Sequence, residues 1–265
     1  MKITALVENQ TQKGLRTVHG LALYIRSGER TILFDVGPDD TLFENAAALG
    51  LDLGAVDTVI ISHGHRDHGG ALEKFMAVNP RAKIYIQRSA FRRHYNRQRQ
   101  PGKDEIGLDG TLMERKQIVL LDGDYGINED MTLFVTPRLD RCYSAANDLL
   151  WSEEGKDDFR HEQNLILREG DKTALIMGCG HAGVVNILDR AEAWKPGLCV
   201  GGYHLYEPIS DRAPSPVLLD EVAAEMGKRP IRYYTCHCTG QAAFDYLSAR
   251  LERMEYLFCG GEIEY

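Results

Sequence analysis

Short apolar blocks and polar–apolar alternations fill most of the chain, punctuated by glycine, proline and asparagine. Residues 3–8 and 21–35 have the pattern of strands. In the second stretch Leu21–Ile25 and Thr31–Phe34 flank Arg26–Arg30, a hairpin loop in which Gly28 can take a positive φ. Leu42–Leu49 sets Leu42, Phe43, Ala46 and Leu49 on one side of a short helix stopped by Gly50. Val56–Ile61 reads as a strand, Gly69–Val78 as a helix with Ala71, Leu72, Phe75 and Met76 at helical spacing, and Lys83–Ile86 as the next strand. Strand, turn, helix, strand is the order of a βαβ unit.

Regularity lapses over residues 87–160. Arg88–Arg99 holds five arginines in twelve residues, readable as a solvated helical face or as an anion-binding lid. Gly107–Gly126 and Met131–Val135 suggest strands with turns, and Arg138–Phe159 a long loop bordering the site. Its acids Glu153, Glu154, Asp157 and Asp158 read as a solvated surface run. Regular structure resumes with a hairpin of residues 164–167 and 172–177 around Glu169–Asp171. A helix over Val184–Trp194, a strand at Leu198–Val200 and a turn-rich Pro208–Pro214 follow. A helix over Ser215–Met226, a strand at Ile231–Tyr234 and a closing helix over Gln241–Met254 complete the chain. No short repeat, low-complexity tract or linker intervenes. The expectation is a single domain over residues 1–265 with an irregular, substrate-facing segment at about 87–160.

Composition narrows the function classes. The 265 residues are 43% hydrophobic and 26% charged, ordinary for a globular α/β chain with a substantial core. A formal charge of −8 argues against nucleic acid and anionic membranes as partners. No apolar run approaches the ~20 residues that span a bilayer. The opening residues read as a strand and lack the apolar region of a signal peptide. With six scattered cysteines, this predicts reduced thiols in a cytoplasm. Cys236-His237-Cys238 has no partner pair at zinc-finger spacing.

The chemistry concentrates in Ser62-His63-Gly64-His65-Arg66-Asp67-His68-Gly69-Gly70, directly after the apolar Val59-Ile60-Ile61. Three histidines and one aspartate within six residues, in a short turn, suit a borderline divalent metal. The same arrangement of apolar strand, small-residue turn with histidine, then helix recurs at His181 (Gly178-Cys179-Gly180-His181-Ala182-Gly183) and at His237 (Thr235-Cys236-His237-Cys238-Thr239-Gly240). Strand ends that feed helix starts are where α/β proteins gather ligands. His204 follows another apolar strand and two glycines and is expected to contact substrate or transfer a proton, with a ligand role as a further alternative. His19, His94 and His161 have no such context and stay unassigned.

The spacing His63, His65, Asp67, His68 resembles the H-x-H-x-D-H signature of the metallo-β-lactamase superfamily. That resemblance implies an α/β fold, a four-layer αββα sandwich (metallo-β-lactamase fold), with one or two metal ions. It assigns His63, His65 and His181 to one metal and Asp67, His68 and His237 to a second. Asp35, in Asp35-Val36-Gly37, would be a carboxylate supporting the ligands, with a plain turn residue as the alternative. Cys179 stands where many members carry a bridging aspartate, and either binds metal as thiolate or packs. Glu162 is another candidate carboxylate. The later motifs, Gly-Cys-Gly-His-Ala-Gly, Gly-Gly-Tyr-His-Leu and Cys-His-Cys-Thr-Gly, resemble the branch related to 7,8-dihydropterin-6-methyl-4-(β-D-ribofuranosyl)aminobenzene-5′-phosphate synthase.

The resulting expectation is a metal-dependent hydrolase. It would direct a metal-bound hydroxide at a small anionic substrate, phosphorylated compounds among the candidates, with Asp67 and His204 as catalytic groups. The cofactor would be one or two zinc ions, with iron or manganese served by the same donors. One rival keeps the metal but condenses a dihydropterin diphosphate with a phosphorylated aminobenzene ribofuranoside. Another is a non-enzymatic metal or ligand sensor. Assembly into a homo-oligomer is left open.

Overall fold

The computed structural model describes residues 1–97, 104–136, 141–206 and 214–265. The expectations for Gln98 and Arg99, for Arg138 to Asp140 and for Pro208 to Ala213 lie outside them. The described residues fall into two compact units, each assembled from separated segments. The first comprises 1–93, 107–123 and 257–265; the second comprises 94–106 and 124–256.

The first unit is a seven-stranded sheet in the order Glu262–Glu264, Lys2–Val7, Ala22–Ser27, Arg30–Phe34, Thr58–Ile60, Lys83–Gln87, Ile118–Leu121. The first four strands pair antiparallel and the remaining pairs are parallel. Ser27 faces Arg30 in register, so only Gly28-Glu29 make the turn, tighter than the loop expected. Leu6, Leu33, Val59 and Ile84 pack with Leu42 of helix Thr41–Ala48 and with Leu72 and Phe75 of helix Leu72–Val78. Burying each such side chain contributes about 1.5–3 kcal/mol. The helix expected over Gly69–Val78 is split. A one-turn helix Arg66–Gly69 lies inside the histidine-rich turn, and Leu72–Val78 follows.

The second unit holds a seven-stranded sheet in the order Met254–Tyr256, Arg232–Thr235, Leu198–Gly201, Lys172–Ile176, Gln163–Glu169, Met131–Val135, Tyr125–Gly126. Its first four strands run parallel, so the turns after the strands ending at Ile176, Gly201 and Thr235 emerge at one end. Helices Val184–Ala191, Pro216–Gly227 and Gln241–Ser248 cover the sheet through Val185, Leu188, Val222, Met226 and Leu247.

Three expectations are corrected here. The closing helix ends at Ser248, because Met254 and Tyr256 are buried around an exposed Glu255, a period of two that makes a strand. The arginine-rich stretch is not helical. It is a 3₁₀ turn at Arg88–Phe91 followed by strand His94–Asn96, with Arg88 on Asp122 at 3.2 Å and the Arg97 guanidinium 4.1 Å from the Trp151 ring centre. The long loop holds a 3₁₀ turn at Ala145–Leu149 and strands Leu150–Ser152 and Gly155–Lys156, which form a small antiparallel sheet with His94–Asn96.

The chain passes between the units four times, at residues 93/94, 106/107, 123/124 and 256/257. We propose that the two units unfold together as one domain. Calorimetry should give a single transition with calorimetric and van't Hoff enthalpies equal; two resolved transitions would make them independent domains.

Candidate metal centre

In the first unit the parallel strand Thr58–Ile60 delivers Ser62 to the buried carboxylate of Asp35, which itself sits at φ +60 after strand Arg30–Phe34. Asp35 accepts from the Ser62 backbone N–H at 2.7 Å, from Ser62 Oγ at 2.7 Å and from His68 Nδ1 at 2.7 Å. These bonds set the proton inventory. Ser62 has one hydroxyl proton and gives it to Asp35, so its oxygen accepts from His63 Nδ1 at 2.8 Å. Both His63 and His68 are thereby held with the proton on Nδ1 and the lone pair on Nε2, the tautomer of a metal-ligating imidazole with a carboxylate behind it.

The donor atoms lie close together. His63 Nε2 lies 3.1 Å from His65 Nδ1, and His68 Nε2 lies 3.6 Å from Asp67 Oδ2. Nitrogen and carboxylate donors at these separations match neighbouring ligands of one cation, whose bonds are about 2.0–2.2 Å for zinc. His63, His65 and His68 are buried, and Asp67 keeps 23% of its side chain exposed. The residues of this turn fit a divalent metal. Asp35 therefore orients Ser62 and the His68 ring and is not merely a turn residue. His19, unassigned from sequence, stands 3.4 Å from Asp67 Oδ2.

In the second unit His181 is fixed from three sides. Its Nδ1 bonds Asn147 Oδ1 at 3.0 Å, Asn147 Nδ2 returns to the His181 carbonyl at 2.9 Å, and the Phe159 ring stacks on the imidazole with centroids 4.7 Å apart. The amide oxygen can only accept, so Nδ1 carries the proton and Nε2 the lone pair. Glu162 does not serve as a ligand in this arrangement. Its two oxygens take the backbone N–H groups of His181 at 2.7 Å and Ala182 at 2.8 Å and so shape the turn. Burial pushes the Glu162 carboxyl up to about 7, against those two backbone bonds. His237 is buried at φ +50 in the 3₁₀ turn after strand Arg232–Thr235.

Cys179 is buried, with its carbonyl 3.4 Å from Cys238 Sγ, and His204 lies with its ring centre 4.1 Å from that of His181. Burial works to raise the Cys238 thiol. Hydrogen bonds with Cys179 and His204 and the charges of His237 and His204 outweigh it and hold the group well below the ordinary thiol range.

Sequence reasoning missed a second histidine–carboxylate group in this unit. Asp157 is 5% exposed, which corrects its reading as part of a solvated run. Its Oδ2 lies 2.9 Å from His94 Nδ1 and 3.3 Å from His161 Nε2, and Oδ1 takes the Phe159 N–H at 2.9 Å. Burial opposes the Asp157 charge, but the positive field and hydrogen bonds of His161 and His94 hold its carboxyl well below the carboxylate range. Burial, and then His94, push His161 down. The one available signal was the i, i+4 spacing of Asp157 and His161; nothing local announces His94, which arrives from strand His94–Asn96.

Two outcomes test these carboxylates. Asp35→Asn leaves one acceptor for three donors, so zinc affinity should fall about 10- to 100-fold, measured by competition with a chromogenic chelator. For Glu162 the folded pKa of about 7 lies above the ordinary 4.5. Its contribution to stability is fully present below the unfolded value and is lost as pH rises through about 7. Urea unfolding of the metal-free chain between about pH 5 and pH 8 should show that decline, and Glu162→Gln should flatten it.

The profile of the metallo-beta-lactamase superfamily matches residues 15–190. The uncharacterized protein MJ0448 of Methanocaldococcus jannaschii is 26% identical over 253 residues, covering 93% of each chain. The 7,8-dihydropterin-6-methyl-4-(beta-D-ribofuranosyl)-aminobenzene-5′-phosphate synthase of the same organism is 24% identical over 275 residues, covering 93% of this chain and 90% of the synthase. Among solved structures, Tm1679, described as a metal-dependent hydrolase of the beta-lactamase superfamily, aligns with a TM-score of 0.82 and 26% identity over 100% of this chain and 99% of its own. Zinc-bound PqqB from Methylobacterium extorquens shares the fold, with a TM-score of 0.62 at 10% identity and full coverage of both chains (100% and 100%). The profile covers well over half of the sequence, and the chain belongs to the metallo-β-lactamase superfamily, with its αββα fold.

Proposed function

We propose that the protein is a hydrolase of small anionic substrates that uses one or two zinc ions. His63, His65 and His181 would supply one metal, and Asp67, His68 and His237 a second. The observation that carries this reading is the proton inventory around Asp35 and Ser62, which leaves His63 and His68 presenting lone pairs beside His65 and Asp67. The Asn147 bond does the same for His181. A divalent metal in such a site supplies Lewis-acid polarisation of a substrate oxygen and lowers the pKa of water to near neutrality.

The chain's own residues do the rest. Asp35 and Ser62 keep His63 and His68 in one tautomer through turnover, so no reorganisation is needed at the reacting centre. The partly exposed carboxylate of Asp67 accepts and orients the proton of the attacking water. His204, expected as a proton-transfer group, is buried beside two cysteines and is given no such part. Six cysteines outside any disulfide support the expectation of a reducing cytoplasm.

The relative named as a pterin-pathway synthase supports a second reading, condensation of a dihydropterin diphosphate with a phosphorylated aminobenzene ribofuranoside. The anion-binding lid imagined for it loses two members, since Arg88 and Arg97 are engaged by Asp122 and Trp151. Turnover of esters, lactones and phosphodiesters, assayed beside the pterin pair, separates the two. Asp67→Ala should lower kcat/KM about 10²- to 10⁴-fold and remove one metal equivalent by elemental analysis. Full activity with unchanged metal content would sink the assignment.

A further inference from the structure

Residues His19-Gly20-Leu21 lead into strand Ala22–Ser27 and lie against Asp67 of the histidine-rich turn, all within the first unit. The Leu21 backbone N–H donates to the Asp67 carbonyl at 3.3 Å. A Cβ on Gly20 would stand 2.5 Å from that same carbonyl oxygen, so only a glycine lets the two backbones meet. The residue before it, His19, brings its ring to the Asp67 side chain, with Nε2 3.4 Å from Oδ2. Nothing in the sequence marks this histidine, and the hydrolase reading gives it no part.

Asn9 decides which way the proton lies in that contact. The Gly20 backbone N–H can only donate, and it reaches Asn9 Oδ1 at 3.3 Å. This fixes the amide, whose Nδ2 then faces His19 Nδ1 at 3.5 Å. An amide N–H donates and never accepts, so His19 Nδ1 carries the lone pair and Nε2 carries the proton, pointed at the carboxylate. The three contacts are long for hydrogen bonds, yet they run one way, from the Gly20 amide through Asn9 and His19 to Asp67. His63 and His68 have the opposite tautomer, with the lone pair on Nε2. A ring that presents Nε2–H cannot hold a cation through that nitrogen; it can donate to a group that does.

We propose that His19 is a positioning residue for Asp67. Its Nε2–H holds Oδ2 and so sets the plane of the carboxylate, while Asn9 keeps the ring in the donating tautomer. A carboxylate oxygen has two lone pairs, so Oδ2 can take the His19 proton and still face a cation beside His68 Nε2. The His19 side chain is 44% exposed and that of Asp67 23%, which places the pair at the open edge of the turn, where water arrives. The effect on turnover rests on the hydrolase reading; the tautomer and its hold on Asp67 rest on the contacts alone.

Two measurements on the full chain test this. Long-range proton–nitrogen NMR of the wild-type protein at about pH 8.5, where an ordinary imidazole is neutral, should find His19 Nε2 protonated and Nδ1 bare. In zinc titrations against a chromogenic chelator, His19→Ala should weaken binding about 10- to 100-fold, the loss expected when a ligand's partner is removed. His19→Gln, whose amide can donate to the same oxygen, should restore most of that affinity. On any ester or phosphodiester that the zinc-loaded protein hydrolyses, His19→Ala should lower kcat and leave KM nearly unchanged, because it disturbs the group that orients water and not the groups that hold substrate. A proton on Nδ1 would overturn the inference, and that measurement needs no variant to fold. So would equal losses of zinc affinity in His19→Ala and His19→Gln, or wild-type affinity in His19→Ala while Asp67→Ala loses a metal equivalent; in those cases the hydrolase reading stands. If Asp67→Ala itself keeps full activity and metal content, the hydrolase reading fails instead, and the NMR result still decides the tautomer of His19.

Discussion

The buried carboxylate of Asp35 is the interaction on which the histidine-rich turn depends. Its charge is spread over three donors, the Ser62 amide, the Ser62 hydroxyl and the His68 ring. An unpaired buried carboxylate costs several kcal/mol, and only a full set of hydrogen bonds offsets that cost. The turn is therefore held in one geometry, because any other leaves the charge unsatisfied. His63 is fixed one bond further out through Ser62. The short helix Arg66–Gly69 then sets Asp67 and His68 side by side.

Much of this was legible in the residues. Strands Lys2–Val7, Arg30–Phe34, Gln163–Glu169 and Lys172–Ile176 announce themselves by apolar blocks and turn glycines, and the clustered spacing of His63, His65, Asp67 and His68 is visible in six letters. The Asp35 role could be suspected but not decided, since a strand-closing aspartate before glycine looks alike whether it faces water or a histidine. The Arg88–Arg99 stretch misled because its charge density suggests a solvated helix. In the fold it turns at Phe91 and becomes a strand paired with Leu150–Ser152, a contact more than fifty positions away along the chain. Pairings of that separation have no local signature. Asp157 is the sharpest case. Among Glu153, Glu154 and Asp158 it reads as surface, yet it is the one acid of the run turned inward, because His94 and His161 meet it there.

The closing segment teaches the same lesson about period. Met254 and Tyr256 extend the apolar pattern of helix Gln241–Ser248 closely enough to pass as its last turn. Their burial on either side of Glu255 follows a period of two, and parallel pairing with Arg232–Thr235 settles it as a strand. Short apolar stretches are ambiguous between the two periods until a partner strand selects one.

A common device links the three carboxylates that sequence reasoning placed least well. Asp35, Glu162 and Asp157 are all buried, and each takes a backbone N–H together with the fixing of one or two imidazoles. Glu162 acts on His181 through the main chain and leaves the ring to Asn147, whereas Asp35 and Asp157 bond rings directly. A carboxylate behind an imidazole localises the proton on the near nitrogen and raises the basicity of the far one. A strand-end turn thus presents lone pairs instead of protons, and this is what separates a histidine that can hold a metal from one that merely fills a polar pocket.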